Sequence, residues 1–164
     1  EKYASQKDEY EIQFAPRTVS EIRAEDEILT NTVVIHFFPN SWDLAKTVTR
    51  QKDGKSVEEL YDPTVDLVLE EVAKLVGQFG AARIVIEGHT DSSMKGQVTP
   101  SLVKELSLNR ANAVKEALVK KYKLNPNQFG VEGLGWDRPA DSQDPTNHAK
   151  NRRVEIKVYP AERA

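Results

Sequence analysis

Apolar and polar positions follow two different periods along this chain, and the changes of period mark its elements. Thr32-Val33-Val34-Ile35-His36-Phe37-Phe38 is a β-branched and aromatic run closed by Pro39-Asn40, which predicts a first strand. Val65, Val68, Leu69, Val72, Leu75, Val76 and Phe79 recur every three or four residues, the spacing of one buried helix face. Asp62-Pro63 supplies the start of that helix, with Asp accepting from free N–H groups and Pro at the first helical position, and Gly80 supplies its end. Arg83 to Gly88 is a short apolar run of strand type that ends in Gly88-His89-Thr90-Asp91. After a loop from Ser92 to Thr99, a second helix opens near Pro100-Ser101 and runs to about Tyr122, because Asn125-Pro126 forbids continuation. Two more strands follow, Gly130 to Gly135 and Arg152 to Tyr159. In the latter Val154, Ile156 and Val158 alternate with Arg153, Glu155 and Lys157.

The order βαβαββ predicts an α/β sandwich in which two main helices pack on one face of a mixed sheet. Between the first strand and first helix, the polar stretch Lys46 to Tyr61, with Asp53-Gly54 inside it, reads as a loop carrying one turn of helix. Residues 1–31 are dense in charge and hold no sustained period, so they read as a solvated N-terminal extension or linker, with a short strand near Glu11 to Phe14. The organised unit spans 32–160 and a tail covers 161–164.

Composition narrows the function classes. The 164 residues carry 23 Lys plus Arg against 26 Asp plus Glu, a formal net charge of -3, and that balance argues against nucleic-acid binding, which needs clustered cations to displace counterions from phosphate. No apolar stretch approaches the roughly 20 residues a bilayer-spanning helix requires, so this segment does not insert into a membrane as a helix. The absence of Cys excludes disulfides and Cys-based zinc sites. Glu1 is not followed by a basic and then apolar leader, so the expectation is that any secretory signal lies outside this sequence.

Two charged positions stand out. Leu102, Leu106, Val114 and Leu118 form a stripe on the second helix, and Arg110 falls in its middle. Either its stem packs while the guanidinium reaches solvent or a carboxylate, or the cation serves a site. Asp91 lies just beyond the C-terminal end of a strand, where open α/β sheets tend to bind ligands, although an Asp in such a turn also caps its own backbone. The start of a following helix lies near that strand end, so Arg110 and Asp91 together would flank one small site.

Gly88-His89-Thr90-Asp91, then Leu106-Ser107-Leu108-Asn109-Arg110-Ala111, then Gly133-Leu134-Gly135-Trp136-Asp137-Arg138-Pro139, then Asn151-Arg152-Arg153-Val154-Glu155-Ile156 stand in the order found in OmpA-like peptidoglycan-binding domains. The chain resembles that family over about Thr32 to Tyr159. The resemblance implies a non-catalytic module, without cofactor or metal, that grips the diaminopimelate of the wall's stem peptide and anchors an envelope protein in the periplasm through a membrane tether or another domain upstream. It implies Asp91 and Arg110 as the main contacts, with Thr90, Asp43, Asn151 and Arg152 lining the same pocket. Asp91 would accept from the ammonium of diaminopimelate and Arg110 would present its planar fork to the carboxylate. Two stretches depart from the family pattern: Lys46 to Tyr61 is longer than expected, and the segment from Asp91 to Leu106 is stretched, with Val103 where Asn is usual.

Enzyme chemistry finds little support. His36, His89 and His148 are the only histidines, and the chain holds neither an HExxH helix nor a G-x-S-x-G elbow, while Gly133-Leu134-Gly135 lacks the third glycine of a nucleotide fingerprint. His89 and Asp91, two apart, could share a strand face as a weak metal pair. The alternative that stays open is a protein-interaction or dimerisation module, homodimer included, on the same fold without wall binding, using Trp42 and Trp136 as partner surface.

Overall fold

The apolar runs of the sequence become a four-stranded sheet covered on both faces. A computed structural model describes residues 15–25, 28, 32–79 and 82–160. Its elements are α1 (Val19–Glu25), β1 (Val33–His36), β2 (Thr47–Lys52), β3 (Lys55–Leu60), α2 (Val65–Gln78), β4 (Arg83–Gly88), α3 (Pro100–Tyr122), a 3-10 turn (Pro126–Gln128), β5 (Phe129–Gly133), the short helix α4 (His148–Asn151) and β6 (Arg153–Tyr159). The main sheet has the order β1-β6-β4-β5, with β4 and β5 parallel and the other pairs antiparallel. The parallel pair is the one joined by a helical crossover, as parallel pairing requires.

Ile84 and Ile86 of β4, with Val154, Ile156 and Val158 of β6, meet Val65, Leu69, Val72 and Val76 of α2 and Ala111, Val114 and Leu118 of α3 in the main core. This is the two-helix sandwich that the βαβαββ order predicts. Every residue of β4 is buried, because its other face is covered too. There Val85 and Tyr159 pack on Ile22 of α1, which is fully buried.

That contact corrects the reading of residues 1–31 as a solvated arm: within them Val19–Glu25 is a helix docked on the sheet. The signal is weak because a seven-residue helix buries little more than one residue, too few to establish a period. Gly130 of β5 makes the docking feasible, since a Cβ there would lie 2.9 Å from Val19 Cγ2. The strand expected near Glu11 to Phe14, the stop at Gly80 and the tail at 161–164 lie outside the described residues.

A second correction concerns Lys46 to Tyr61. This stretch is the antiparallel hairpin β2-β3, registered Thr47 opposite Leu60 through Lys52 opposite Lys55. Asp53 and Gly54 turn it, both at positive φ (52° and 75°), the Asp-Gly chemistry of a tight hairpin. The strands are polar because both faces are largely solvated, so apolar alternation could not announce them. Smaller shifts occur elsewhere. Asp62 caps the approach to α2 by accepting from the Thr64 N–H (2.9 Å) and hydroxyl (2.6 Å), and the helix itself begins at Val65, so Pro63 precedes it. On α3 the expected apolar stripe is rotated at its start: Leu102 is exposed, and Val103 and Ser107 are buried in line with Arg110, Val114 and Leu118.

If α1 belongs to the folded unit, Ile22→Ala should cost about 2–5 kcal/mol, the range for an Ile truncated in a packed core. Urea unfolding of the variant measures it, and an unchanged midpoint would mean that α1 is not docked in solution.

Candidate functional site

The site grows out of an unusually close helix-to-sheet contact. A Cβ on Gly88, the last residue of β4, would sit 1.7 Å from the Ser107 carbonyl oxygen of α3, and one on Gly133 would sit 2.5 Å from the Lys104 carbonyl. Only glycine at both positions lets α3 lie directly on the strand ends. Ser107 locks the crossing by accepting from the Gly135 N–H at 3.0 Å. Arg110, one turn further along α3, is thereby placed beside the chain as it leaves β4.

Arg110 is 1% exposed. Its Nε donates to the Ser41 carbonyl and one Nη to the His89 carbonyl, both at 2.8 Å, and the other Nη donates to the Phe38 carbonyl at 3.3 Å. Its guanidinium carbon lies 5.4 Å from the centre of the Phe37 ring. Burial pulls its pKa down to about 10, with the negative charge of Asp91 acting in the opposite sense, so it remains a cation at neutral pH. Three of its five N–H donors are committed, leaving one on each terminal nitrogen.

Asp91 follows β4 by three residues. One carboxylate oxygen accepts from the Ser93 N–H (2.9 Å) and hydroxyl (2.6 Å), and the other pairs with Arg152 at 3.2 Å. Burial opposes its charge, but the Ser93 bonds and Arg152 outweigh it and hold the carboxyl below its ordinary value. Arg152, at the junction of α4 and β6, also donates from Nε to the Phe37 carbonyl and from Nη2 to the Tyr61 hydroxyl, both at 3.0 Å. The Asp91 and Arg152 side chains are 13% and 14% exposed, so the pair is reachable from outside. Thr90, 5% exposed, has a buried hydroxyl without a hydrogen-bond partner.

Of the six residues singled out from the sequence, Asp91, Thr90, Arg152 and Arg110 therefore gather at one end of the sheet. Among the described residues no hydrogen bond or ion pair joins Asp91 to Arg110. Arg152 is the cation that Asp91 touches, and Arg110 is near enough to feel the charge of both. The other two are placed differently. Asn151 is buried and accepts from Ala140 N–H at 2.8 Å while donating to the Pro145 carbonyl at 2.9 Å, so it pins the 140–145 loop beside Arg152. Asp43 is exposed in the loop after β1 and accepts from the Ala45 N–H at 2.9 Å. It lines a groove of about 630 Å³ with Trp42 and with Ala113, Glu116 and Lys120 of α3. Tyr61 and Ser93 escape sequence reasoning, since neither sits in a motif; Ser93, two residues after Asp91, carries a faint turn signal.

Residues 56–153 match the family model described as the OmpA family, well over half of the chain. The chain belongs to the OmpA family. It is 34% identical over 100 residues to outer membrane protein Omp38 of Acinetobacter baumannii, covering 60% of this chain and 26% of that protein. The domain thus spans about a quarter of the length of that relative. Its fold is similar to the peptidoglycan-associated lipoprotein of Burkholderia pseudomallei (TM-score 0.54, 22% identity, 76% of this chain and 88% of that one). It is also similar to the cell wall anchor of the type VI secretion system of Pseudomonas aeruginosa (TM-score 0.51, 21% identity, 90% of this chain and 99% of that one).

The OmpA domain carries a second charged cluster on the α1 face of the sheet. His89 Nε2 lies 3.8 Å from Glu87 and 4.0 Å from Glu155, and these three ligand atoms fall within 4.8 Å of one another, a spacing that could hold a metal. The carboxylates are already engaged, however. Glu87 pairs with Arg23 and with Lys157 (3.1 Å), and Glu155 pairs with Arg153 (2.5 Å). A dication would have to displace those cations, so the cluster serves as an internal charge layer. His89 faces this layer rather than forming a metal pair with Asp91.

Burial, with Arg153 next in importance, lowers the His89 pKa from 6.5 to about 4. The unfolded chain therefore takes up this proton first as acid is added, and the stability contributed by neutral His89 is complete above about 6.5 and lost as pH falls through about 4. The His89 ring proton followed by NMR should titrate near 4, with the urea midpoint falling over the same window. A titration near 6.5 would contradict the buried, neutral placement.

Proposed function

We propose that this domain binds peptidoglycan non-covalently, gripping the free end of diaminopimelate in the stem peptide, and so ties an envelope protein to the wall. The observation that carries this reading is the partly exposed Asp91–Arg152 pair set close to the buried Arg110 cation. The free end of diaminopimelate bears an ammonium and a carboxylate on one carbon. That zwitterion enters the pair by exchange: Asp91 takes the ammonium, and Arg152 turns its fork to the carboxylate. One internal ion pair is replaced by two across the ligand, so no charge is left uncompensated in a partly buried site.

Arg110 acts on the frame of the site. Its bonds to the Phe38, Ser41 and His89 carbonyls hold the two loops that frame the entrance, and its two uncommitted N–H groups add to the carboxylate's donors. The unpartnered Thr90 hydroxyl is a further group for the ligand to satisfy. Asn151 contributes by fixing the loop beside Arg152, and Asp43 by shaping the first loop.

Membership of the OmpA family supports the reading, as do the two fold neighbours, one named a peptidoglycan-associated lipoprotein and the other a cell wall anchor. The outer-membrane relatives support a place in the envelope, with this domain facing the wall. One small zwitterion gripped in this way is held modestly. Lasting retention comes from the many copies of the ligand on a continuous polymer together with any tether elsewhere in the protein, which raise effective concentration without new contacts.

Hydrogen bonds to charged groups contribute about 1.5–3 kcal/mol each, so Asp91→Ala or Arg152→Ala should weaken retention on insoluble wall sacculi by roughly ten- to over a hundredfold. Arg110→Ala should lose retention and also unfold at lower urea, because three carbonyls lose their donor. Equal retention of all three variants and the unsubstituted protein would overturn the wall-binding reading and favour a module for protein partners.

A further inference from the structure

Tyr61 is the residue through which the β2-β3 hairpin enters this site, and its hydroxyl is used there on one side only. Arg152 Nη2 donates to Tyr61 Oη at 3.0 Å, so the phenol oxygen is an acceptor in that bond and its own proton is free to be given elsewhere. The side chain is well held. Its ring meets Phe38 edge-on with centroids 5.7 Å apart, its backbone N–H donates to the Lys46 carbonyl at 2.8 Å, and its carbonyl accepts from Arg50 Nη2 at 2.8 Å. Tyr61 also lines an open groove of about 350 Å³ with His36, Arg50, Asp62 and Lys150, so it is reachable from solvent. In that groove Asp62 spends its oxygens on the His36 N–H and on Thr64, and Arg50 pairs with Glu59.

The unspent hydrogen-bonding capacity around this corner is mostly donor. Arg152 and Arg110 each commit three of five N–H groups, and Tyr61 keeps its O–H. On the acceptor side stands Asp91, with one oxygen already receiving two bonds from Ser93. A carboxylate, acceptor at both oxygens, suits such a surrounding. A carboxamide presents one acceptor oxygen and an NH₂ that would face other donors.

We propose that Tyr61 donates its hydroxyl to the carboxylate at the free end of diaminopimelate, and that the donor-rich corner it completes makes the domain select unamidated diaminopimelate over the carboxamide form. This rests on the wall-binding reading above and names the chemical form of the ligand. It also gives the hairpin a role, since Tyr61 is the residue that follows β3 directly.

The test is a pair of NMR titrations with soluble probes, the tripeptide L-Ala-γ-D-Glu-diaminopimelate and the same peptide with the free-end carboxylate converted to the amide. The unsubstituted domain should bind the acid about tenfold or more tighter than the amide. Tyr61→Phe, which keeps the ring, should weaken the acid about five- to tenfold and shift the amide less than about twofold, so that the preference collapses. Tyr61→His, whose ring accepts through one nitrogen and donates through the other, should restore part of it. If Tyr61→Phe weakens both peptides equally, or the unsubstituted domain does not distinguish them, the proposal falls while wall binding stands. If the unsubstituted domain binds neither peptide, both readings fall together.

Discussion

A guanidinium in the apolar stripe of a helix is tolerable only if its donors are met, and in this domain they are met by the carbonyls of two separate loops. Arg110 holds Phe38 and Ser41 from the loop after β1 and His89 from the turn after β4. An uncompensated buried cation would cost several kcal/mol, so those loops cannot drift away while the helix stays in place. The residue that reads as a ligand contact is thus also the tie that gives the entrance its shape. The approach of α3 to the sheet, permitted by Gly88 and Gly133, is the backbone condition for the tie.

The sheet divides two kinds of work between its faces. Toward α2 and α3 it presents Ile84, Ile86, Val154, Ile156 and Val158, whose burial supplies stability. Toward α1 it presents Glu87, Glu155 and Lys157 around Val85 and Tyr159, so the second face is a layer of paired charges sealed by Ile22 and Arg23. His89 belongs to that layer by its side chain and to the site by its carbonyl, which Arg110 holds. Loss of α1 would expose the buried Glu87 carboxylate, four residues before Asp91, which couples α1 to the condition of the site.

The hairpin extends the same logic outward. Arg50 of β2 donates to the Leu60 and Tyr61 carbonyls and thereby closes the base of the hairpin. Tyr61 then meets Arg152, Arg152 meets Asp91, and Asp91 meets Ser93. The hairpin thus brings Tyr61 to Arg152 rather than forming only a surface ribbon.

Local pattern sufficed for β4, α3 and the alternation in β6, because long apolar periods and Pro or Gly punctuation are properties of neighbouring residues. Asp91, Arg110 and Arg152 were also legible as members of motifs, and Arg110 stood out even without them as a charge in an apolar stripe. The hairpin stayed hidden because a solvated two-stranded ribbon needs no apolar face. α1 stayed hidden because one buried isoleucine makes no period. What only the tertiary structure decided was partnership: that Asp91 faces Arg152 first, that Arg110 is spent on three carbonyls, and that Tyr61 meets Arg152. Those outcomes depend on where residues 21 to 91 positions apart in sequence come to rest in space, and no short-range spacing encodes that.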